Sequence, residues 1–175
     1  MNWREFRPTL MFLLKFLGFY LVANLVYGAY VTIYAPTSDP ITTEVTEQSA
    51  WVITMLGWPA TTALQTTVAN VPIMYHKLAI VSVYEGCNGI NVSIIFLSFL
   101  LAFGPPRKSL FWFVPACLIL LHLSNLARIV FLFLVTLYQP RYSYITHKYF
   151  FTAAIYAVVF VMWLVWLRME RKLRS

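Results

Sequence analysis

The chain is expected to be all-α: a polytopic integral membrane protein with four transmembrane helices and a small extracytoplasmic loop subdomain. Three observations carry this. Hydrophobic residues make up 61% of the 175 positions and charged residues only 11%, whereas soluble domains are nearer half apolar and a quarter charged. The mean hydropathy is +0.72. The charges that do occur sit at the ends of long apolar runs. The net charge of +7 is therefore not the footprint of a nucleic-acid-binding surface. The length fits one membrane domain, residues 1–175.

The runs are Leu10–Tyr34, Gly89–Phe103, Leu110–Tyr138 and Tyr149–Leu167. A membrane helix needs roughly 20 residues. With their polar mouths included, the second and fourth are read as 87–103 and 147–167. The first is far longer than the roughly 7–15-residue core of a cleaved signal peptide and is read as an uncleaved span. Nine of the thirteen basic residues precede or enter the first span, lie between the second and third (Arg107, Lys108), or follow the last. Four spans with both termini in the cytoplasm put all nine inside, as the positive-inside rule requires. Asp39, Glu44, Glu47 and Glu85 then face outward.

The outer loop, residues 35–86, is the one sizeable polar segment. Asp39-Pro40 reads as an N-cap followed by proline at the first helical position. Val45, Gln48, Val52, Met55 and Leu56 recur at helical spacing, and Gly57 ends the run. Trp51 and Trp58 suit a helix lying against lipid headgroups. From Val68 to Val83 the β-branched pattern of Ile80, Val81 and Val83 fits a short hairpin.

Cys87 stands where the polar loop becomes apolar, in the run Glu85-Gly86-Cys87-Asn88-Gly89-Ile90. A helix N-terminus offers free N–H groups and partial positive charge, both of which favour a thiolate. Depth can be counted along the spans. Cys87 is about 24 Å, Arg128 about 27 Å and His147 about 30 Å from the cytoplasmic ends of their helices. In a hydrocarbon core about 30 Å thick, all three lie near the outer boundary on separate helices. Intramembrane ionisable residues are functional candidates by default. Acyl transfer is the chemistry that needs this set, with Cys87 as nucleophile, His147 as base and then acid, and Arg128 stabilising thiolate or oxyanion. Backbone N–H groups at Asn88 and Gly89 would add donors. Asn125 would orient Arg128, and Glu85 would pair with Arg128 or His147 or cap the second span.

The other candidates have plainer readings. Cys117, seven residues into its run, packs in the bundle and is not paired with Cys87. His122 bonds a neighbouring helix, and His76 is a solvated loop residue. No metal-ligand spacing, phosphate-binding glycine loop or cofactor motif is present.

The run EGCNGI followed by a span, then NLARIVF in the next span, then a histidine opening the last, resembles the exosortase/archaeosortase family over roughly Tyr84–Tyr156. Many members carry several spans before the Cys helix. One precedes it here, so the likeness is to short, four-span variants. The resemblance implies a membrane cysteine protease or transpeptidase with Cys87, Arg128 and His147 as its catalytic residues. It implies a substrate protein whose C-terminal sorting signal is a short motif, a transmembrane helix and a basic cluster. Cleavage would occur at the outer face of the bacterial cytoplasmic (inner) membrane, through a thioester and without cofactor or metal. Two other classes fit the residues: a non-catalytic scaffold for surface export, and a small transporter or lipid-handling protein with Arg128 as anion anchor.

Overall fold

The structure, a computed structural model, describes residues 3–103 and 108–172. Residues Gly104–Arg107 of the expected basic turn, and Arg174, lie outside it. Helix α1 (Trp3–Tyr34) packs along α3 (Ile90–Phe103). Phe12 sets its ring edge against Phe99 and Phe103 at 5.5 and 5.9 Å. Pro8 lies inside α1, near its start, where few intrahelical donors are missed.

Helix α2 (Pro40–Met55) forms where its cap was expected. The Asp39 carboxylate accepts from the Thr42 N–H at 3.0 Å and from the Thr42 hydroxyl at 2.5 Å. Gly57 follows the helix with φ +102°, a conformation that costs glycine little. One face of α2 is buried, through Thr42, Val45, Thr46, Ser49, Ala50 and Ile53.

A three-stranded antiparallel sheet follows: β1 (Thr61–Thr62), β2 (Val71–Tyr75) and β3 (Leu78–Val83), in that order. The hairpin expected within 68–83 is β2–β3. Its two-residue turn, His76-Lys77, takes φ of 48° and 66°, the twist that joins antiparallel strands tightly. The all-α expectation is thus met by a mostly helical chain that also carries this sheet.

After β3 the chain makes a 3₁₀ turn at Glu85–Cys87 and enters α3. Helix α4 (Lys108–Tyr138) returns antiparallel to it. A 3₁₀ turn at Pro140–Tyr142, a single α turn α5 (Ser143–Ile145) and a π turn at Thr146–Phe150 lead into α6 (Phe151–Lys172).

Among the described residues, three helical segments are long and apolar enough to cross a membrane: Phe6–Tyr34, Phe111–Tyr138 and Pro140–Met169. The second expected span does not reach that length. Helix α3 has 14 residues, about 21 Å, because the turn around Cys87 replaces its first helical residues. The last segment starts earlier than expected, at Pro140.

The interior has two clusters. One joins α2, the sheet and α4, with Ile53, Ile73 and Phe133 fully buried. The other joins α3, α4 and α6 through Phe96, Leu121, Val159 and Trp166, and Cys117 packs in it. Cys87 belongs to the first cluster.

Candidate functional site

The turn that carries Cys87 is held from three helices. From α4, the Asn125 Nδ2 donates to the Cys87 carbonyl at 2.9 Å. From α2, the Thr42 Oγ1 accepts from the Asn88 Nδ2 at 2.9 Å. From α1, the Tyr27 hydroxyl accepts from the same amide at 2.5 Å. The Asn88 Oδ1 in turn accepts from the Ile90 N–H at 3.0 Å and so caps α3. Asn88 is 3% exposed, and a buried carboxamide is stable only when its donors and acceptor are engaged in this way. Because Thr42 passes its own hydroxyl proton to Asp39, the chain Asn88–Thr42–Asp39 has a fixed donor direction.

Glycine is required at the end of the turn. Gly89 has φ +88°, and a Cβ there would stand 3.3 Å from the Asn125 Cγ. Both facts exclude a side chain cheaply accommodated. Within the turn, the Cys87 N–H donates to the Tyr84 carbonyl at 2.7 Å.

The Cys87 thiol is free and 5% exposed. The Arg128 Nη2 donates to its sulfur at 3.8 Å. A guanidinium stays charged, so it presents a fixed positive charge to the sulfur. Arg128 and His147 both line a cleft of about 410 Å³, together with Tyr84, Gly86, Tyr144 and Lys148. Tyr84 lies across Gly86: a Cβ at Gly86 would meet its ring at 2.5 Å. Negative charge at Cys87, with partial burial and a hydrogen bond to the thiol, raises the Tyr84 phenol above its ordinary range.

The expected set therefore divides. Cys87 and Arg128 are in contact, and His147 shares a cleft with Arg128. His147 was expected at the mouth of a span. It lies in the π turn of a longer helical segment, and its Nδ1 is buried without a hydrogen-bond partner among the described residues. Asn125 was expected to orient Arg128, but binds the Cys87 carbonyl instead. Glu85 makes no ion pair with either cation among the described residues. It opens the 3₁₀ turn, and its carbonyl lies 3.5 Å from the Tyr27 hydroxyl. Asn88 acts through its side chain, as cap and tether. His122 does bond a neighbouring helix, at 2.7 Å from the Gln48 Oε1, and His76 is exposed at the hairpin turn. The residues that sequence reasoning missed are Tyr27, Thr42 and Asp39 as tethers, and Tyr84 beside the thiol. Of these, only Asp39 carried a signal, as a cap.

Long apolar helices around a buried thiol and a half-buried guanidinium define an integral membrane protein with a candidate reactive cysteine. The family profile of transmembrane exosortase (Exosortase_EpsH) matches residues 6–169, and the chain belongs to that family. No curated protein and no solved structure matches it.

Proposed function

We propose that this exosortase is a membrane-embedded cysteine protease or transpeptidase. In this reading it cleaves the C-terminal sorting signal of a secreted protein at the outer face of the bacterial inner membrane, with both of its own termini in the cytoplasm. The observation that carries the reading is the Arg128 guanidinium 3.8 Å from the Cys87 sulfur, with His147 lining a cleft together with Arg128.

The steps follow from the chemistry of the three groups. His147 takes the Cys87 thiol proton, the thiolate attacks the scissile carbonyl carbon, and the S–C bond forms as the carbonyl oxygen takes the negative charge. Arg128 stabilises first the thiolate and then that oxyanion. The C–N bond breaks, His147 gives a proton to the departing amine, and the substrate's transmembrane helix leaves with it. A thioester remains on Cys87. An amine or water adds to its carbonyl, loses a proton to His147, and releases the Cys87 sulfur.

The test is made in cells of the source organism. Mass spectrometry of membrane proteins should find one or more precursors whose C-terminal segment persists in a Cys87→Ala strain and is lost when Cys87 is present. Arg128→Ala and His147→Ala should accumulate the same precursors. Full function with both Cys87→Ala and Cys87→Ser would leave the scaffold reading in its place.

A further inference from the structure

The sheet leads straight into the nucleophile turn, and its last strand has an open edge. The order β1-β2-β3 makes β3 an outer strand, paired on one side only. Three residues separate its end at Val83 from Cys87, and two of them, Tyr84 and Gly86, line the cleft.

The pairing fixes which amides are free. The Ala63 N–H donates to the Pro72 carbonyl at 3.3 Å, so the polar backbone of Pro72 faces β1. Pro72 stands opposite Ser82 across β2–β3. In an antiparallel ladder a residue directs its N–H and C=O to the same side, so this is a non-hydrogen-bonded pair, and the N–H and C=O of Ser82 point away from β2. Val83 pairs inward with Val71. Tyr84 is again extended, at φ −128° and ψ 173°, which turns its N–H to the same outer edge as that of Ser82. No hydrogen bond engages either N–H within the described residues.

Edges of this kind are usually blunted by charge, proline or a covering element. Leu78–Val83 reads LAIVSV, without charge or proline. A register shift opposite Ile73 and Met74 leaves Ile80 as a bulge, and bulges are enriched beside active sites. The regular, open part of the edge is therefore the part nearest Cys87.

We propose that the free edge of β3 binds the substrate by strand addition. The segment N-terminal to the scissile bond lies extended along Ser82 and Tyr84 and is led from there to the cleft. The inference rests on the peptidase reading, which supplies the occupant: a substrate cut beside its own transmembrane helix has its other arm on the loop side, where β3 lies. Pairing of main-chain groups gives affinity with little dependence on side chains.

The experiment uses the precursor that accumulates in the Cys87→Ala strain, purified and presented to the full-length enzyme in detergent micelles. Ser82→Pro removes the outward N–H and no bond of the fold, since proline is tolerated on an outer strand when its N–H faces away. Its KM should rise about tenfold, the loss of roughly one hydrogen bond to the substrate, with kcat little changed. Ser82→Ala, which keeps the amide, should match the unaltered enzyme. In a Cys87→Ala/Ser82→Cys double variant, cysteines placed one at a time in the precursor before its cleavage site should form disulfides at alternating positions, the period of a strand. Unchanged KM for Ser82→Pro together with crosslinking that lacks this period would overturn the edge while leaving the peptidase intact. The absence of any precursor in the Cys87→Ala strain would overturn the peptidase reading and the strand addition with it.

Discussion

At the scale of single residues, the site depends on contacts made to the backbone of Cys87 as much as on its sulfur. Arg128 donates to that sulfur at 3.8 Å, and its removal should slow alkylation. Iodoacetamide at neutral pH should label Cys87 in Arg128→Ala at about a tenth of the unaltered rate, read by mass spectrometry of the Cys87 peptide. An equal rate would detach Arg128 from thiol activation. Gly89→Ala places a side chain at φ +88° and 3.3 Å from Asn125. It should cost about 1–3 kcal/mol, seen as a lower unfolding temperature in detergent. Asn125→Ala strips the Cys87 carbonyl of its donor and should cost a similar amount. Cys87, Arg128 and His147 were legible in the sequence because ionisable groups stand out in apolar runs. The role of Asn125 was not, because the sequence places it one turn from Arg128 and is silent on the neighbouring chain that it meets.

At the scale of elements, α2 and the π turn decide where the side chains go. The Asp39 cap is wired through Thr42 to Asn88, so weakening the start of α2 should loosen the nucleophile turn. Asp39→Ala should lose about 1 kcal/mol of stability and also change the alkylation rate of Cys87. A change in stability alone would mean that the tether is passive. The cap itself was readable from Asp39-Pro40. Its link to Cys87 was not, because it forms only when α1 and α2 fold against the turn. The π turn at Thr146–Phe150 holds one residue more than an α turn would, and such bulges recur at functional sites. Deleting Tyr149 should restore α geometry and rotate His147 by about 100° relative to α6. Processing should then stop, while the helical circular dichroism stays unchanged. A π turn has no periodic signature in the sequence, which is why His147 was read as the first residue of a shorter span.

At the scale of the whole molecule, the number of crossings fixes which side each end occupies. Three segments have the length of a span, and α3, at 14 residues, does not. If only those three crossed, the termini would lie on opposite faces. The way the helices are joined argues otherwise. Four residues separate α3 from α4, and Gly89 at the start of α3 meets Asn125, deep along α4. Helix α3 with its Cys87 turn therefore runs beside α4 from Lys108 to Asn125, about 26 Å of helix, nearly the depth of the hydrocarbon core. What α3 lacks in length the tethered turn supplies, and its polar backbone is satisfied by Asn88, Asn125 and Tyr84 instead of water, as a bilayer demands. We propose four crossings with both termini in the cytoplasm, a reading that this packing and the placement of the basic residues support. Green fluorescent protein fused to either end should be fluorescent, and alkaline phosphatase fused to either end inactive. A phosphatase inserted at the His76-Lys77 turn should be active. Opposite behaviour of the two termini would make α3 a helix that does not cross, and would put His147, which follows α4, on the opposite side from the loop that carries Cys87, against the peptidase reading.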